Sequence, residues 1–515
     1  MQNYSIEWLN EFLIKRESQY TNVFLFETYD IQRINQFISL AKGKLAELLK
    51  TDFKFYHWRL QKGYVVDADG VKLEIEPTVD TSELLTTQTS VLLISYAFLK
   101  EHVELLSEDL FDWSQSQELY RKGSTVVVFC SDAGLFNETL RRMCYTIAVP
   151  PSLEVERRNL MKKLIDDLVA VANIKLEPSE EIVQASAGLD LHSFQTAFLE
   201  SVSRYGKLQT LPFTEHKKNV LRNYGLVFVE PKIGFEQVGG YAKLKQYVSN
   251  RIILPLKNPE IANYYGVGLP RGMIFYGLAG TGKSYFAEAM AKELGIAMVR
   301  LSPSDFFRGI VGESESRVRQ ITRMIEMLSP IMVFMDEVDQ IAMARDKIGS
   351  GDSGVTRRVT NMLLEWLGQR TRQSFLIGAT NFLEDIDYAF IRAGRIDEIC
   401  LIPPPDFEAR KEILEVHTQK LRKIPLAKTV DLNALAKMTA WWTGAELEKL
   451  ALDSARMAME EKAKFVEMKH FEATIKSLEV NGLERKQKLE RMIAVLKKLE
   501  NVNMHFLNET LKMIM

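Results

Sequence analysis

Cysteine is scarce in this sequence of 515 residues, which holds Cys130, Cys144 and Cys400 alone. The three have no metal-ligand spacing and cannot all pair, which suits a reducing cytosol. Charge of one sign is also lacking. Lys and Arg number 66 against 68 Asp and Glu, a formal net charge of −2, so no global basic field argues for nucleic acid. No uninterrupted apolar run approaches the ~20 residues of a membrane span. The opening MQNYSIEWLNEFLIKRE carries no signal-peptide apolar core. These absences set the expectation of a cytoplasmic protein without a transmembrane segment. A hydrophobic content of 46% with 26% charged residues is that of ordinary globular cores, and the length allows several domains.

Chemistry first appears at residues 277–284, GLAGTGKS, which match G-x-x-x-x-G-K-[ST]. Gly277, Gly280 and Gly282 let the backbone turn sharply and approach a phosphate. Consecutive N–H groups then form an anion nest, and the positive end of the following helix adds to it. Lys283 is placed to reach β- and γ-phosphates and the Ser284 hydroxyl to ligate Mg²⁺. The context fits: GMIFY (272–276) reads as a short apolar strand, and SYFAEAMAKEL (284–294) has helical apolar spacing.

A second constellation is IMVFMDEVD, 331–339, an apolar run suited to a buried parallel strand. Asp336 and Glu337 fall at its carboxyl end, where such sheets bind ligands. Asp336 is suited to hold Mg²⁺ through water, and Glu337 to polarise an attacking water. The next strand, FLIGATN (375–381), ends in Asn381, an amide that could position the same water or sense the γ-phosphate; taken alone, it reads more simply as a loop cap. IRAGRID (391–397) places Arg392 and Arg395 about a small-residue turn. By themselves these read as surface arginines paired with Asp397 or Glu398.

Taken together, these segments resemble the AAA ATPases. FEQVGGYAKLKQYVSNRIILPLKNPEIANYYGVGLPRGMIFYG (235–277) is similar to the entry into that family's ATPase domain. IVGESESRVRQI (310–321), RRVTNMLLEWLG (357–368) and WWTGAELEKLA (441–451) match further family segments in order. The resemblance implies an α/β fold: a parallel sheet with helices on both faces (235–402) and a helical lid (403–480); beyond it, apolar residues at helical spacing read as an amphipathic helical tail (481–515). It also implies a homo-oligomer, usually a hexameric ring, with ATP and Mg²⁺ between neighbours. By motif position it makes Glu337 the catalytic base, Asn381 the sensor, and Arg392 and Arg395 arginine fingers. It adds Val238, Gly239, Thr281, Tyr285, His417, Gly444 and Ala445 to the nucleotide contacts. Residues Ile310-Val311-Gly312 stand where translocases of the family carry an aromatic-hydrophobic-glycine pore triplet, here without the aromatic.

Residues 1–210 alternate strand candidates (22–28, 52–58, 90–96 and 124–130) with helices, and 151–210 read as lid-like helices; 211–234 form a linker. The whole-chain layout is similar to an uncharacterised bacterial and chloroplast-encoded group of AAA proteins, in which a decayed AAA-like domain precedes the active one. IAVPPSLEVERRNLM (147–161) resembles LIPPPDFEARKEIL (401–414) at an offset of 253 (403 − 150), which aligns Pro150, Arg157 and Met161 with Pro403, Arg410 and Leu414. In the strand at 91–95, Tyr96-Ala97 stand where Asp336-Glu337 would, and VFLFETYDIQ (23–32) lacks the glycines and the Lys-Ser pair. The expectation is an adaptor or binding role for the first domain and ATP hydrolysis in the second. That hydrolysis drives either a motor that remodels a protein substrate or a nucleotide-dependent switch acting through an adaptor. Nucleic acid is not indicated, for want of a basic patch or helix-turn-helix.

Overall fold

The computed structural model describes the chain outside residues 1–6, 19–20, 29, 31–32, 35, 39–52, 60–63, 67–71, 74–78, 98–99, 131–132, 150–151, 173–174, 224, 268–269, 308–312, 344–353, 370–371, 479 and 513–515. The chain divides into two compact units, Met1–Phe213 and Thr214–Met515. The expected linker is in part ordered structure: the unit boundary falls within the helix Leu211–Asn223, and β8 (Val227–Val229) follows.

The first unit is built on seven strands: β1 (Val23–Glu27), β2 (Lys54–Arg59), β3 (Tyr64–Val66), β4 (Lys72–Leu73), β5 (Ser90–Ala97), β6 (Thr125–Cys130) and β7 (Tyr145–Ala148). Their order in the sheet is β4-β3-β2-β5-β6-β1-β7. The five strands β7-β1-β6-β5-β2 are parallel, and β3 and β4 add an antiparallel edge. Alternation along the strands fills both faces. Val23, Leu25, Leu92, Ile94, Val126 and Val128 point to one core; Phe24, Phe26, Val91, Leu93, Val127 and Phe129 point to the other. Parallel strands buried on both sides need such near-continuous apolar runs, and each fully buried Phe or Leu contributes about 1.5–3 kcal/mol relative to exposure. Helices Glu154–Ala172, Glu180–Ala185 and Leu191–Tyr205 follow the sheet and close over Met161, Ile182, Phe194, Phe198 and Phe213.

The second unit has β8, β9 (Gly272–Tyr276), β10 (Met298–Leu301), β11 (Met332–Met335), β12 (Phe375–Thr380) and β13 (Glu398–Leu401), in the order β13-β9-β12-β11-β10-β8. All pairs are parallel except β8 on β10. Numbered by their appearance in each unit, the parallel strands of both run fifth-first-fourth-third-second. β5 holds the place of β11, so Tyr96 and Ala97 do fall where the acid pair stands in the second unit.

The correspondence extends to hydrogen bonding. Buried Arg157 donates from Nη1 to Ser152 O at 3.0 Å and from Nε to Val183 O at 3.3 Å. Arg410 donates from Nη1 to Pro405 O and from Nε to Ala436 O, both at 2.9 Å. Donors and acceptors alike are separated by 253 positions (410 − 157, 405 − 152, 436 − 183). Met161 and Leu414 are both fully buried; Pro150 lies outside the described residues.

The lid comprises Phe407–Glu415, Leu432–Met438, Gly444–Glu460 and Met468–Ser477, closed around Leu414, Trp442, Leu450 and Phe471. The tail forms helices Gly482–Leu496 and Met504–Leu511. Among the described residues no helix is long and apolar enough to cross a membrane.

Candidate active site

Sheet register assembles the site. Tyr276 pairs with Thr380, and Met335 lies level with Gly378. The residues after β9, β12 and β11 therefore emerge side by side at the carboxyl edge. β9 sits between β12 and β13, where strand order reverses, and crevices in open α/β sheets form at that point. Gly277 N–H donates to Thr380 O at 3.3 Å, which ties the loop to the next strand. The loop turns through Gly280 at φ 78° and Gly282 at φ 89° into the helix Lys283–Leu294. The Lys283 ammonium is buried and donates to Gly277 O at 3.0 Å, Leu278 O at 2.9 Å and Asn381 Oδ1 at 2.6 Å. Burial lowers its pKa to about 8, with Asp336 and Asp339 opposing the fall.

Ser284 Oγ lies 3.4 Å from Asp336 Oδ2. The same carboxylate oxygen accepts from Arg300 Nη2 at 2.5 Å. Glu337, one residue on, is in the left-handed region at φ 50°, a conformation that costs a non-glycine residue about 1–3 kcal/mol and turns the chain sharply from strand to helix. Gln340 Nε2 donates to its Oε2 at 2.9 Å. Asp339 is tied to Thr380 Oγ1 at 2.5 Å, and burial pushes its carboxyl upward.

The lid docks on the loop. Ala445 N–H donates to Gly280 O at 3.1 Å, and a Cβ on Gly444 would sit 3.5 Å from the same carbonyl. A Cβ on Gly280 would sit 3.0 Å from Thr443 Oγ1. Gly239 shows the same economy: its Cβ would meet Ile413 N at 2.6 Å, so the bare backbone is what lets Val238-Gly239 lie against the first lid helix. Val238 is buried, and its carbonyl accepts from Lys245 Nζ. Tyr285 OH reaches Gln237 O at 3.4 Å. His417 Nδ1 is 2.8 Å from Arg422 Nη1, and burial lowers its pKa against the pull of Glu448. Thr281 is buried, with its hydroxyl on Leu278 O.

Arg392 and Arg395 occupy a separate turn. The Arg392 guanidinium stands 5.5 Å over the Tyr388 ring, and Arg395 Nη1 donates to Ala389 O. None of the described hydrogen bonds joins them to the phosphate loop of the same chain. Residues 310–312 lie outside the described residues.

Sequence reasoning missed three contributors. Tyr241 is half-buried with its hydroxyl 3.0 Å from both Thr281 O and Pro403 O, joining the loop to the chain entering the lid. Arg300 carried a legible signal, a charge within the short strand MVRL. Asn501, whose side-chain amide donates to Ile391 O and Ile396 O, carried none.

A phosphate loop and an acid pair, aligned at the carboxyl edge of a parallel sheet beneath a helical lid, define a P-loop ATPase. Residues 273–404 match the model of the "ATPase family associated with various cellular activities (AAA)", and 429–473 match the AAA+ lid domain. The chain is 36% identical over 250 residues to a proteasome-activating nucleotidase of Methanocaldococcus jannaschii, covering 48% of this chain and 57% of that one. It is 32% identical over 323 residues to the nucleotidase of that name from Aeropyrum pernix, covering 62% and 76%. An uncharacterised AAA domain-containing protein, ycf46, of Guillardia theta is 25% identical over 472 residues, 89% of each chain. The chain belongs to the AAA family of ATPases.

Proposed function

We propose that this protein is a ring-forming ATP-driven motor that remodels a protein substrate. The observation that carries the reading is the division of the site. Lys283, Ser284, Asp336, Glu337 and Asn381 converge at one sheet edge, whereas Arg392 and Arg395 are held in a turn of their own. A site with cradle and base, from which Arg392 and Arg395 of the same chain are held apart, is completed by the fingers of a neighbouring copy, and six copies close the ring expected from the sequence. Turnover at such shared interfaces changes the shape of an assembly, which is what a remodelling motor requires. Relatives bearing the name proteasome-activating nucleotidase support the same direction.

The residues fit a Mg²⁺-bound nucleotide. Mg²⁺ keeps several waters and takes one or two protein ligands beside phosphate oxygens; Ser284 Oγ and Asp336 Oδ2 converge as such a pair. ATP supplies the transferable phosphoryl group. Glu337 takes the proton of the attacking water from a backbone that aims its carboxylate, and Asn381 orients that water. Lys283 follows the phosphate charge, and Val238, Gly239, His417, Gly444 and Ala445 enclose the nucleoside beneath the lid.

The first unit repeats the strand order without the chemistry. In its segment after β1, buried Arg33 pairs with both carboxylate oxygens of Glu156 at 2.8 Å. Burial alone would raise Glu156, but Arg33 and the Leu153 N–H hold its carboxyl low. The unit is read as a decayed copy that binds a partner rather than ATP. That favours a second reading, in which the ring is a switch acting through this unit without threading a chain.

The test is Glu337→Gln. Hydrolysis should fall about 10²–10⁴-fold with ATP binding kept, and ring-sized particles should accumulate and retain a protein substrate. Turnover at the wild-type rate would overturn the assignment of Glu337.

A further inference from the structure

The tail does more than cover its own lid. Its first helix, Gly482–Leu496, is bolted to the lid by Arg485. Nη1 donates to Trp441 O at 2.7 Å and to Glu446 Oε2 at 2.6 Å, and Nη2 pairs with Glu446 Oε1. Glu446 also accepts from Thr443 N–H at 2.8 Å, and so fixes the N-terminus of the lid helix whose Ala445 N–H rests on Gly280 O. At its other end the tail leaves the lid. Phe506 stacks on Tyr247, with centroids 4.0 Å apart and planes 15° from parallel. Tyr247 OH donates to Glu398 Oε2 at 2.6 Å, at the start of β13.

Between these anchors is Asn501. Its Nδ2 donates to Ile391 O at 2.6 Å and to Ile396 O at 3.1 Å, and its own carbonyl accepts from Ile399 N–H at 3.2 Å. Ile391 and Ile396 are the residues immediately before Arg392 and after Arg395, both buried. Between them Arg392, Ala393 and Gly394 are exposed and Arg395 is half-buried, with Gly394 at φ 86°. One primary amide therefore pins both ends of the loop that carries both arginines. Both partners are carbonyl oxygens, so a group with two donors satisfies them, and a carboxylate of the same shape repels them.

We infer that Asn501 is a positioning residue for the arginine-finger turn, and that the tail is a strap tying that turn to the lid seated on the chain's own phosphate loop. The strap makes a subunit's hold on its own nucleotide felt at the finger it offers to its neighbour. This rests on the reading that Arg392 and Arg395 act between subunits.

The experiment uses full-length rings. Asn501→Ala should lower kcat about 10–100-fold, the scale of a small misplacement of a reacting group, with ATP affinity and melting temperature close to wild type. Asn501→Asp should be no better than Asn501→Ala, although nearly isosteric, and Asn501→Ser, which keeps one donor, should recover part of kcat. In mixed rings Asn501→Ala should regain activity with Lys283→Ala subunits, which supply intact fingers, and gain nothing with Arg395→Ala subunits. A wild-type kcat for Asn501→Ala overturns the proposal, as does recovery with Arg395→Ala or a loss of ATP affinity matching that of kcat. The control pair Arg395→Ala with Lys283→Ala separates the two levels. Its recovery, with Asn501→Ala failing to group with Arg395→Ala, sinks the strap alone; its failure in demonstrably mixed rings sinks action between subunits and the strap together.

Discussion

The ammonium of Lys283 lies 2.6 Å from Oδ1 of Asn381. The lysine of the phosphate loop and the amide at the end of the neighbouring strand are thus joined directly. Two loop carbonyls take the remaining donors of the same ammonium. All its partners are neutral, so its charge is held in place but not neutralised, and a phosphate offers what they lack.

ATP affinity should therefore depend on alkaline pH. In the free protein Lys283 titrates at about 8, lowered chiefly by burial; a bound phosphate raises it. Below that pH the lysine is already charged and binding takes up no proton here. Above it, binding must take up one, so Kd should weaken by up to about tenfold per pH unit until the pKa of the complex is reached. Calorimetry in buffers of different ionisation enthalpy should show uptake rising from about zero near pH 7 toward one proton near pH 9. Affinity and uptake that stay flat across this range would contradict the assignment.

Arg300 and Mg²⁺ should compete for Asp336. The guanidinium is about half exposed, so the pair is worth at most about 1 kcal/mol. Arg300→Gln should lower the Mg²⁺ concentration for half-maximal nucleotide binding by up to about fivefold with little change in melting temperature. A midpoint that does not move, or moves upward, would show that Arg300 does not shield the carboxylate.

The chain should bind one ATP per copy, in the second unit. Equilibrium titration of Lys283→Ala should find no saturable site at micromolar ATP, because Arg33 and Glu156 satisfy each other within the first unit. A surviving second site would falsify the decayed-copy reading.

Gly239→Ala should destabilise the second unit. Its Cβ would lie 2.6 Å from a backbone nitrogen of the first lid helix, which cannot swing aside as a side-chain tip can. Overpacking of this kind costs about 1–3 kcal/mol. Thermal melting should drop by several degrees and ATP affinity should weaken with it; an unchanged melting curve would mean the lid is free to shift.

The nucleotide loop, the acid pair and the two arginines were legible from sequence because each is carried by a contiguous segment. In such segments the spacing of glycine, lysine and acid is itself the local geometry. The strands at 23–27, 54–59, 90–97 and 125–130 were legible for a related reason, since buried parallel strands require apolar runs. The short β7, YTIA, and the edge pair β3–β4 gave no such run.

Sequence alone thus pointed to the family, to the segments that carry the candidate hydrolytic residues and to the faint echo at 253 positions. Tertiary structure decided which strands are neighbours, that the echo extends to matching arginine hydrogen bonds, and that Tyr241, Arg300 and Asn501 contact the phosphate loop, Asp336 and the arginine turn respectively. Asn501 is separated from Ile391 by 110 residues and sits in the amphipathic helical tail, outside its apolar stripe. Its partners are backbone carbonyls, which every residue possesses, so no side-chain pattern could announce them. Only the return of the chain onto β13, held by Phe506 on Tyr247, brings the amide to them.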